Sequence, residues 1–401
     1  MEQRTLRRVD SSAPGALGGR VVLLDALRGA CFVLMTIDHF PSSPLHRFSN
    51  TYFGPLGFFT ATVGFVFLSG LVAGRVYERE RCIAGTRSMI RRVTHRARTL
   101  YVTQMIVFLA LVAAIELHVR GAGRWDMSLV STHPWEGITY GATLLYEPWY
   151  LGILPIYVLF LVLTPIILVQ FDKGNARGVL AVSALIWVLS GLVIHLPSNP
   201  SGVNLGPYNP LAYQFVFISG LAFGTRQLSI ERLSQVMRRR LVAVAAVVTA
   251  LCLILRLEYA FGGPLNHLID ELRPAFSAYE LGPLRLLNFA AFGLVLYWAS
   301  QRFRSDEIHA PAYSWLAFIG RHSLPVFAWS ILGTYTAIAL LPPHLSLRLG
   351  LLAVVLLAAS LTIPAKLHAM IRHHRALVAV GSRRVDELAT TDVVASADVA
   401  G

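Results

Sequence analysis

Windows of roughly 20 mostly apolar residues, the length a helix needs to cross a bilayer, recur along this chain from Val21 almost to Arg372. Ten of them can be drawn, at 21–40, 57–78, 100–119, 148–170, 178–196, 210–226, 241–260, 283–301, 313–341 and 346–371, and Pro, Gly and Asn mark most breaks between them. With 55% hydrophobic and 14% charged residues and a mean hydropathy of +0.58, the chain needs lipid as part of its solvent. The expected fold is therefore all-α: a polytopic membrane helical bundle of about ten transmembrane helices. Residues 1–20 are expected as a cytoplasmic N-terminal segment, 21–371 as the membrane domain and 372–401 as a disordered cytoplasmic tail, since Ala376 to Gly401 is polar and lacks a periodic face.

The net charge of +13 does not point to nucleic acid, because the basic residues sit in short clusters between apolar windows. Topology accounts for them. If the N-terminus is cytoplasmic, the inner segments collect Arg4, Arg7, Arg8 and Arg20, the eight arginines from Arg75 to Arg98, Lys173, Arg177, the run from Arg226 to Arg240, Arg302, Arg304 and the basic tail after Lys366. The outer segments hold only Arg47, Arg120, Arg124, Arg256, Arg273 and Arg348, with Asp270, Glu271 and Glu280 among them. That asymmetry places both termini in the cytoplasm. The first window carries Asp25 and Arg28 and no small-residue cleavage site, so it reads as a retained helix and not a removable signal.

Several function classes are excluded. There is no Walker-type phosphate loop, H-E-x-x-H, paired CxxC or dinucleotide fingerprint, so neither an ATPase within this chain nor a metal site has support. Cys31 and Cys252 lie in apolar windows and Cys82 in a basic segment, which implies no disulfide framework. Two stretches nearly repeat, Phe65-Val66-Phe67-Leu68-Ser69-Gly70-Leu71-Val72-Ala73-Gly74 and Phe215-Val216-Phe217-Ile218-Ser219-Gly220-Leu221-Ala222-Phe223-Gly224. Small residues spaced by four suit close helix packing; a parallel internal duplication is the other reading.

Ionisable groups within a membrane cost about 2.5–3.5 kcal/mol on insertion scales, which makes each a functional candidate. The first window holds Asp25, Arg28, Asp38 and His39. Arg28 and His39 are eleven residues apart, on nearly the same helix face and about 16 Å apart along the axis. Asp25, one turn from Arg28, is placed to pair with it. His39 is a candidate general base with Asp38 as its orienting carboxylate, although the two are equally what a helix ending at the interface would carry. The basic segment from Glu78 to Arg98, expected as a loop, either holds inner-leaflet phosphates or grips the phosphates of a cytoplasmic donor. Arg285 and Asn288 in the eighth window and Arg321 and His322 in the ninth either snorkel to the membrane edge or line an inner cavity that receives anionic groups.

At Leu24-Asp25-Ala26-Leu27-Arg28-Gly29 and Ile37-Asp38-His39-Phe40-Pro41 the sequence resembles the OpgC-type membrane acyltransferases, the osmoregulated periplasmic glucan succinyltransferase family within the acyltransferase-3 group. The resemblance continues through Phe65-Val66-Phe67-Leu68-Ser69-Gly70, Leu154-Pro155-Ile156-Tyr157, Asn209-Pro210-Leu211-Ala212, Leu281-Gly282-Pro283-Leu284-Arg285-Leu286 and Gly320-Arg321-His322-Ser323-Leu324-Pro325-Val326-Phe327, spanning roughly residues 20 to 370. It implies a multi-pass protein of the bacterial inner membrane, surrounded by membrane lipids. Such an enzyme uses cytoplasmic acyl-CoA (succinyl-CoA or acetyl-CoA) as cosubstrate, an extracytoplasmic glycan as acceptor and no permanently bound cofactor.

By the same resemblance, the Arg28-to-His39 spacing is similar to the R-x10-H signature, making His39, beside Asp38, the catalytic histidine and Arg28 its partner. Arg91, Arg92, Arg96 and Arg98 become candidates for the CoA phosphates. Asp25, Arg285, Asn288, Arg321, His322 and Glu147 become substrate-binding candidates, Arg285 or Arg321 holding the carboxylate of a succinyl group. Gly152 stands where the family pattern carries an acidic residue before the Leu154-Pro155-Ile156-Tyr157 motif, and nearby Glu147 is the candidate substitute. His39 would deprotonate a sugar hydroxyl or relay the acyl group covalently, with Arg28, Arg321 or another buried polar group stabilising the oxyanion. The rival readings are a glycan or lipid transporter without acyl transfer, and an acetyl-CoA-dependent glycan acetyltransferase, since Leu23-Leu24-Asp25-Ala26-Leu27-Arg28-Gly29 also resembles the heparan-type glucosaminide N-acetyltransferases.

Overall fold

Long apolar runs flanked by Gly and Pro wind into helices, and in the computed structural model every element of regular structure is helical apart from an isolated bridge between Tyr146 and Asn204. The structure describes residues 22–40, 45, 53–148, 150–192, 202–302, 310–342 and 345–375. The helices, in chain order, are α1 (Val22–His39), α2 (Ala61–Glu116), α3 (Ser128–Thr132), α4 (Pro134–Ala142), α5 (Ile153–Asp172), α6 (Ala176–Leu192), α7 (Pro210–Gly224), α8 (Gln235–Phe261), α9 (Asn266–Glu271), α10 (Pro283–Arg302), α11 (Pro311–Arg321), α12 (Ser323–Leu340) and α13 (Leu347–Ser360).

Among the described residues five helices are long and apolar enough to cross a membrane: Ala61–Glu116, Ile153–Asp172, Gln235–Phe261, Ser323–Leu340 and Leu347–Arg375. Two shorter apolar helices, Ala176–Leu192 and Pro210–Gly224, accompany them. α1 carries Asp25, Arg28 and Asp38, and α10 carries Arg285 and Arg302. The N-terminal segment 1–20 and the tail residues 376–401 lie outside the described residues, while 372–375 prolong the last helix.

Three features differ from the expected windows. First, the arginine-rich segment between the second and third windows is helical and not a loop. Helix-favouring residues fill it, the Arg81 guanidinium bonds Glu78 and Asp172 at 2.8 and 2.9 Å, and Arg92 reaches Glu80 across the one non-helical residue, Gly85 (φ 81°). Glycine alone adopts such a φ without a Cβ penalty, so the chain reverses there.

Second, the single span expected over 313–341 is two helices. Pro325 supplies no N–H for the Arg321 carbonyl and its ring crowds that group, and the break falls at His322 (φ −106°, ψ 38°). Third, α3 and α4 form between windows. α4 packs against the second half of α2, with Gly141 against the Phe108 ring and the Tyr101 hydroxyl donating to the Ala142 carbonyl at 2.8 Å. Tyr101 is fifteen residues from the end of α2 at Glu116, so α3 and α4 re-enter alongside it for about 22 Å.

The two near-repeated stretches meet. A Cβ on Gly70 would lie 2.1 Å from the Phe217 carbonyl oxygen and one on Gly74 2.5 Å from that of Leu221; reciprocally, Gly220 faces Phe67 O at 2.2 Å and Gly224 faces Leu71 O at 2.2 Å. Residue numbers rise together along the seam, so α2 and α7 run parallel, backbone against backbone. This is the close packing that small residues at four-residue spacing permit.

Around this seam α1, α5 and α12 bury Phe32, Met35, Phe160, Leu161, Phe327 and Ile331. A second, smaller core of Phe53, Phe58, Ile269 and Phe276 sits beneath α8 and α10. α8 itself buries only Ala245, Arg256 and Ala260 and leaves Val244, Val247, Leu251 and Ile254 exposed, a surface suited to lipid.

Candidate functional site

α1 is the spine of the site, and its approach to α11 depends on two glycines. A Cβ on Gly29 would stand 2.0 Å from the Leu316 carbonyl oxygen, and one on Gly320 would stand 1.8 Å from that of Asp25. Since Gly29 faces Leu316 while Asp25 faces Gly320, the two helices run in opposite senses. The chain then breaks at His322, and α12 returns beside α1, with Phe327 against Phe32 at 6.3 Å. A helix interrupted inside an apolar bundle exposes backbone and polar side chains to the interior, the arrangement that membrane proteins use at binding sites.

At the Val22 end of α1 the charged groups converge. Arg28 donates through Nη2 to Ser323 Oγ at 3.2 Å, at the first residue of α12, and its guanidinium lies 5.9 Å from the Phe65 ring centroid. Its Nε is buried with no hydrogen-bond partner among the described residues. Arg96 is near enough for its charge to repel that of Arg28, with Tyr157 also in reach. Arg321 Nε approaches Asp25 Oδ2 at 3.9 Å, so Asp25 engages the far side of the helix break as well as lying one turn from Arg28. His322 bonds His368 of the last helix, Nδ1 to Nδ1, at 2.9 Å.

The four arginines selected for a donor's phosphates separate here. Arg96 is half-buried and turned toward Arg28 and Tyr77, Arg92 reaches Glu80, and Arg91 and Arg98 are exposed.

The His39 end is aromatic and hydroxyl-rich. The His39 ring lies 4.6 Å from that of Tyr150, Tyr150 lies 5.6 Å from Tyr335 in an edge contact, and Tyr335 lies 5.4 Å from Trp125, whose Nε1 donates to the Tyr335 carbonyl at 2.8 Å. Asp38 is buried, within electrostatic reach of Tyr208 and Arg256. The Tyr208 hydroxyl shares a hydrogen bond with Thr62 Oγ1 at 3.2 Å.

Glu147, 2% exposed, accepts from Gln104 Nε2 at 2.8 Å, and that same Nε2 donates to the Leu151 carbonyl at 3.3 Å. A Cβ on Gly152 would meet Pro207 Cδ at 3.0 Å and Gly206 Cα at 3.4 Å, while Gly206 rests on Glu147 Cβ. A side chain at 152 would press on Pro207 and require it to give way, and the carboxylate of this region comes from Glu147.

Arg285 and Asn288 are wholly buried, and each bonds backbone. Arg285 donates through Nε and Nη2 to the Phe276 carbonyl at 2.9 and 2.7 Å, and Asn288 Oδ1 accepts from Phe58 N at 2.8 Å. Together they fasten the second core under the Asp38 end, apart from the Arg28 cluster.

Reading the sequence left out Ser323, Tyr150, Tyr335, Trp125, Tyr208, Thr62, Gln104 and Arg256 as site residues. Two of these carried a visible signal. Gln104 is a lone amide in an apolar window, and Arg256, counted with the outer loops, is the lone cation in another. The aromatic residues carried none, because aromatic side chains are equally at home in an apolar core.

Among the described residues no group of three or more His, Cys, Asp or Glu gathers as a metal site. The family described as OpgC protein matches residues 20–373 of the 401-residue chain. No curated protein and no solved structure matches it.

Proposed function

We propose, from the premise that this chain belongs to the OpgC family, a membrane O-acyltransferase that moves an acyl group, succinyl by preference, from cytoplasmic acyl-CoA to a hydroxyl of an extracytoplasmic glucan. Family membership supports the coarser part, a membrane enzyme of acyltransferase type. The observation that carries the finer part is the division of α1: Arg28 stands at a helix break among cations, and His39, eleven residues on, stands among aromatic rings and hydroxyls.

In this reading both termini and the Arg28 end face the cytoplasm of a bacterial inner-membrane protein, and about ten helices cross the bilayer. CoA phosphates lie against Arg96 and Arg28, with Arg92 behind them, because guanidinium forks match phosphate oxygens. The pantetheine arm runs along α1, so that only the thioester reaches His39. His39 takes the proton of the glycan hydroxyl, the hydroxyl oxygen bonds to the thioester carbonyl carbon, and the tetrahedral adduct collapses with cleavage of its C–S bond. The departing thiolate recovers the proton from His39, leaving free CoA and an O-acyl sugar. Arg28, about 16 Å away along the axis, serves the donor and not the oxyanion, for which the Tyr150 hydroxyl is the nearer donor.

The test is turnover of tritium-labelled succinyl-CoA and acetyl-CoA by protein in nanodiscs, with periplasmic-type glucan as acceptor and His39→Ala as control. Label on the sugar with stoichiometric free CoA, lost in His39→Ala, supports the proposal and names the donor. Passage of unmodified glycan through proteoliposomes without release of CoA would replace it with transport.

A further inference from the structure

Gln104 and Glu147 form a buried pair with a peculiar balance of hydrogen-bonding groups. Both are within 2% of full burial. The two N–H groups of the Gln104 amide are used, on Glu147 Oε2 and on the Leu151 carbonyl. What is left over is acceptor capacity alone: Gln104 Oε1 and Glu147 Oε1 have no hydrogen-bond partner among the described residues. A buried acceptor without a donor costs roughly 1–3 kcal/mol, more when it is a carboxylate. Such a pair is completed only by a ligand that brings hydrogens. A phosphate, a thioester and a carboxylate bring none, whereas a hydroxyl-bearing molecule does.

The position favours the same class. Leu151, which the pair grips, follows Tyr150, whose ring is 4.6 Å from His39 and 5.6 Å from Tyr335, itself beside Trp125. Aromatic faces with polar groups beside them suit a sugar, apolar on its C–H face and hydroxylated at its edge. α2 supplies Gln104 and the segment before α5 supplies Glu147, so the pair is held by two packed elements.

We infer that the Gln104–Glu147 pair is the hydroxyl-reading subsite for the neutral sugar acceptor, with Tyr150 as its wall toward His39. This rests on the acyltransferase reading for the identity of the acceptor, but acceptor binding can be measured without any donor. The experiment is calorimetric titration of the full-length protein in nanodiscs with a β-linked glucose heptasaccharide, comparing wild type with Glu147→Gln, which keeps the shape and replaces an acceptor oxygen by a donor. Gln104→Met serves as the second variant should the first fail to elute as a folded species.

A loss of affinity of tenfold or more is the expected result. Superimposable titrations in wild type and variant, or no sugar binding by wild type, overturn the inference. Sugar binding that depends on Glu147, in protein that consumes no acyl donor, sustains the subsite and overturns the acyltransferase reading instead.

Discussion

The two ends of α1 solve different chemical problems with the same helix. At the Arg28 end like charges are crowded: Arg28 faces Arg96 across Tyr77 and Tyr157, beside a helix break where Ser323 and the Arg321–Asp25 pair stand. At the His39 end the imidazole packs on Tyr150, which continues through Tyr335 to Trp125, and the polar groups of this end are Thr62, Tyr208, Gln104 and Glu147. The first arrangement, with more cations than the one carboxylate of Asp25, suits an anionic partner; the second suits a neutral partner and a proton. A reaction that joins a charged donor to an uncharged acceptor needs both, held apart so that the phosphates never approach the hydroxyl.

That contrast can be broken in graded steps. Removing the ring should do most: His39→Ala is expected to lower kcat by about 10²–10⁴, the usual contribution of a positioned general base, with donor binding intact in a direct CoA titration. Next is Arg28→Ala, which should raise the KM for acyl-CoA by about 10–100-fold, as expected for losing a charge-assisted hydrogen bond, and leave the glycan KM alone. An equal rise in both constants would mean that the two ends are not chemically separate.

The joint between them is tested by Gly320→Ala. Its added methyl would fall 1.8 Å from the Asp25 carbonyl oxygen, and overpacking of this kind costs about 1–3 kcal/mol. A lower melting temperature is expected, with a larger fall in kcat than in substrate affinity. Arg96→Ala should raise the donor KM less than Arg28→Ala does, by about tenfold for a half-buried cation. Arg91→Ala and Arg98→Ala, at exposed positions, should be nearly silent at physiological salt. Ranking these four arginines by donor KM would show whether the cluster is one site or a general topology signal.

Much of this was legible in the sequence for physical reasons. Continuous apolar windows can only be helices in lipid, and each window drawn falls on described helix. The small residues of the near-repeats suited close helix packing, and the two stretches pack on each other. Arg28 and His39 were visible as charges where charge is expensive.

What escaped depended on non-local geometry. The break at His322 follows from a proline three residues later, and the helical character of 78–98 follows from ion pairs across Gly85 that spacing alone does not reveal. Arg285 and Asn288 stood out because burial of polar atoms is costly. Among their partners are the Phe276 carbonyl and the Phe58 amide, in segments with no sequence signature. Gly152 looked like a departure; its surroundings, Pro207 and Gly206, press closely on that position.

The seam between α2 and α7 has a mechanical consequence. Where helices touch through side chains, a change of rotamer lets them slide. Along Gly70, Gly74, Gly220 and Gly224 main chain meets main chain, and a contact of that kind has no adjustable parts. α2 and α7 therefore move as one beam, and a gap that admits a bulky ligand has to open away from this seam.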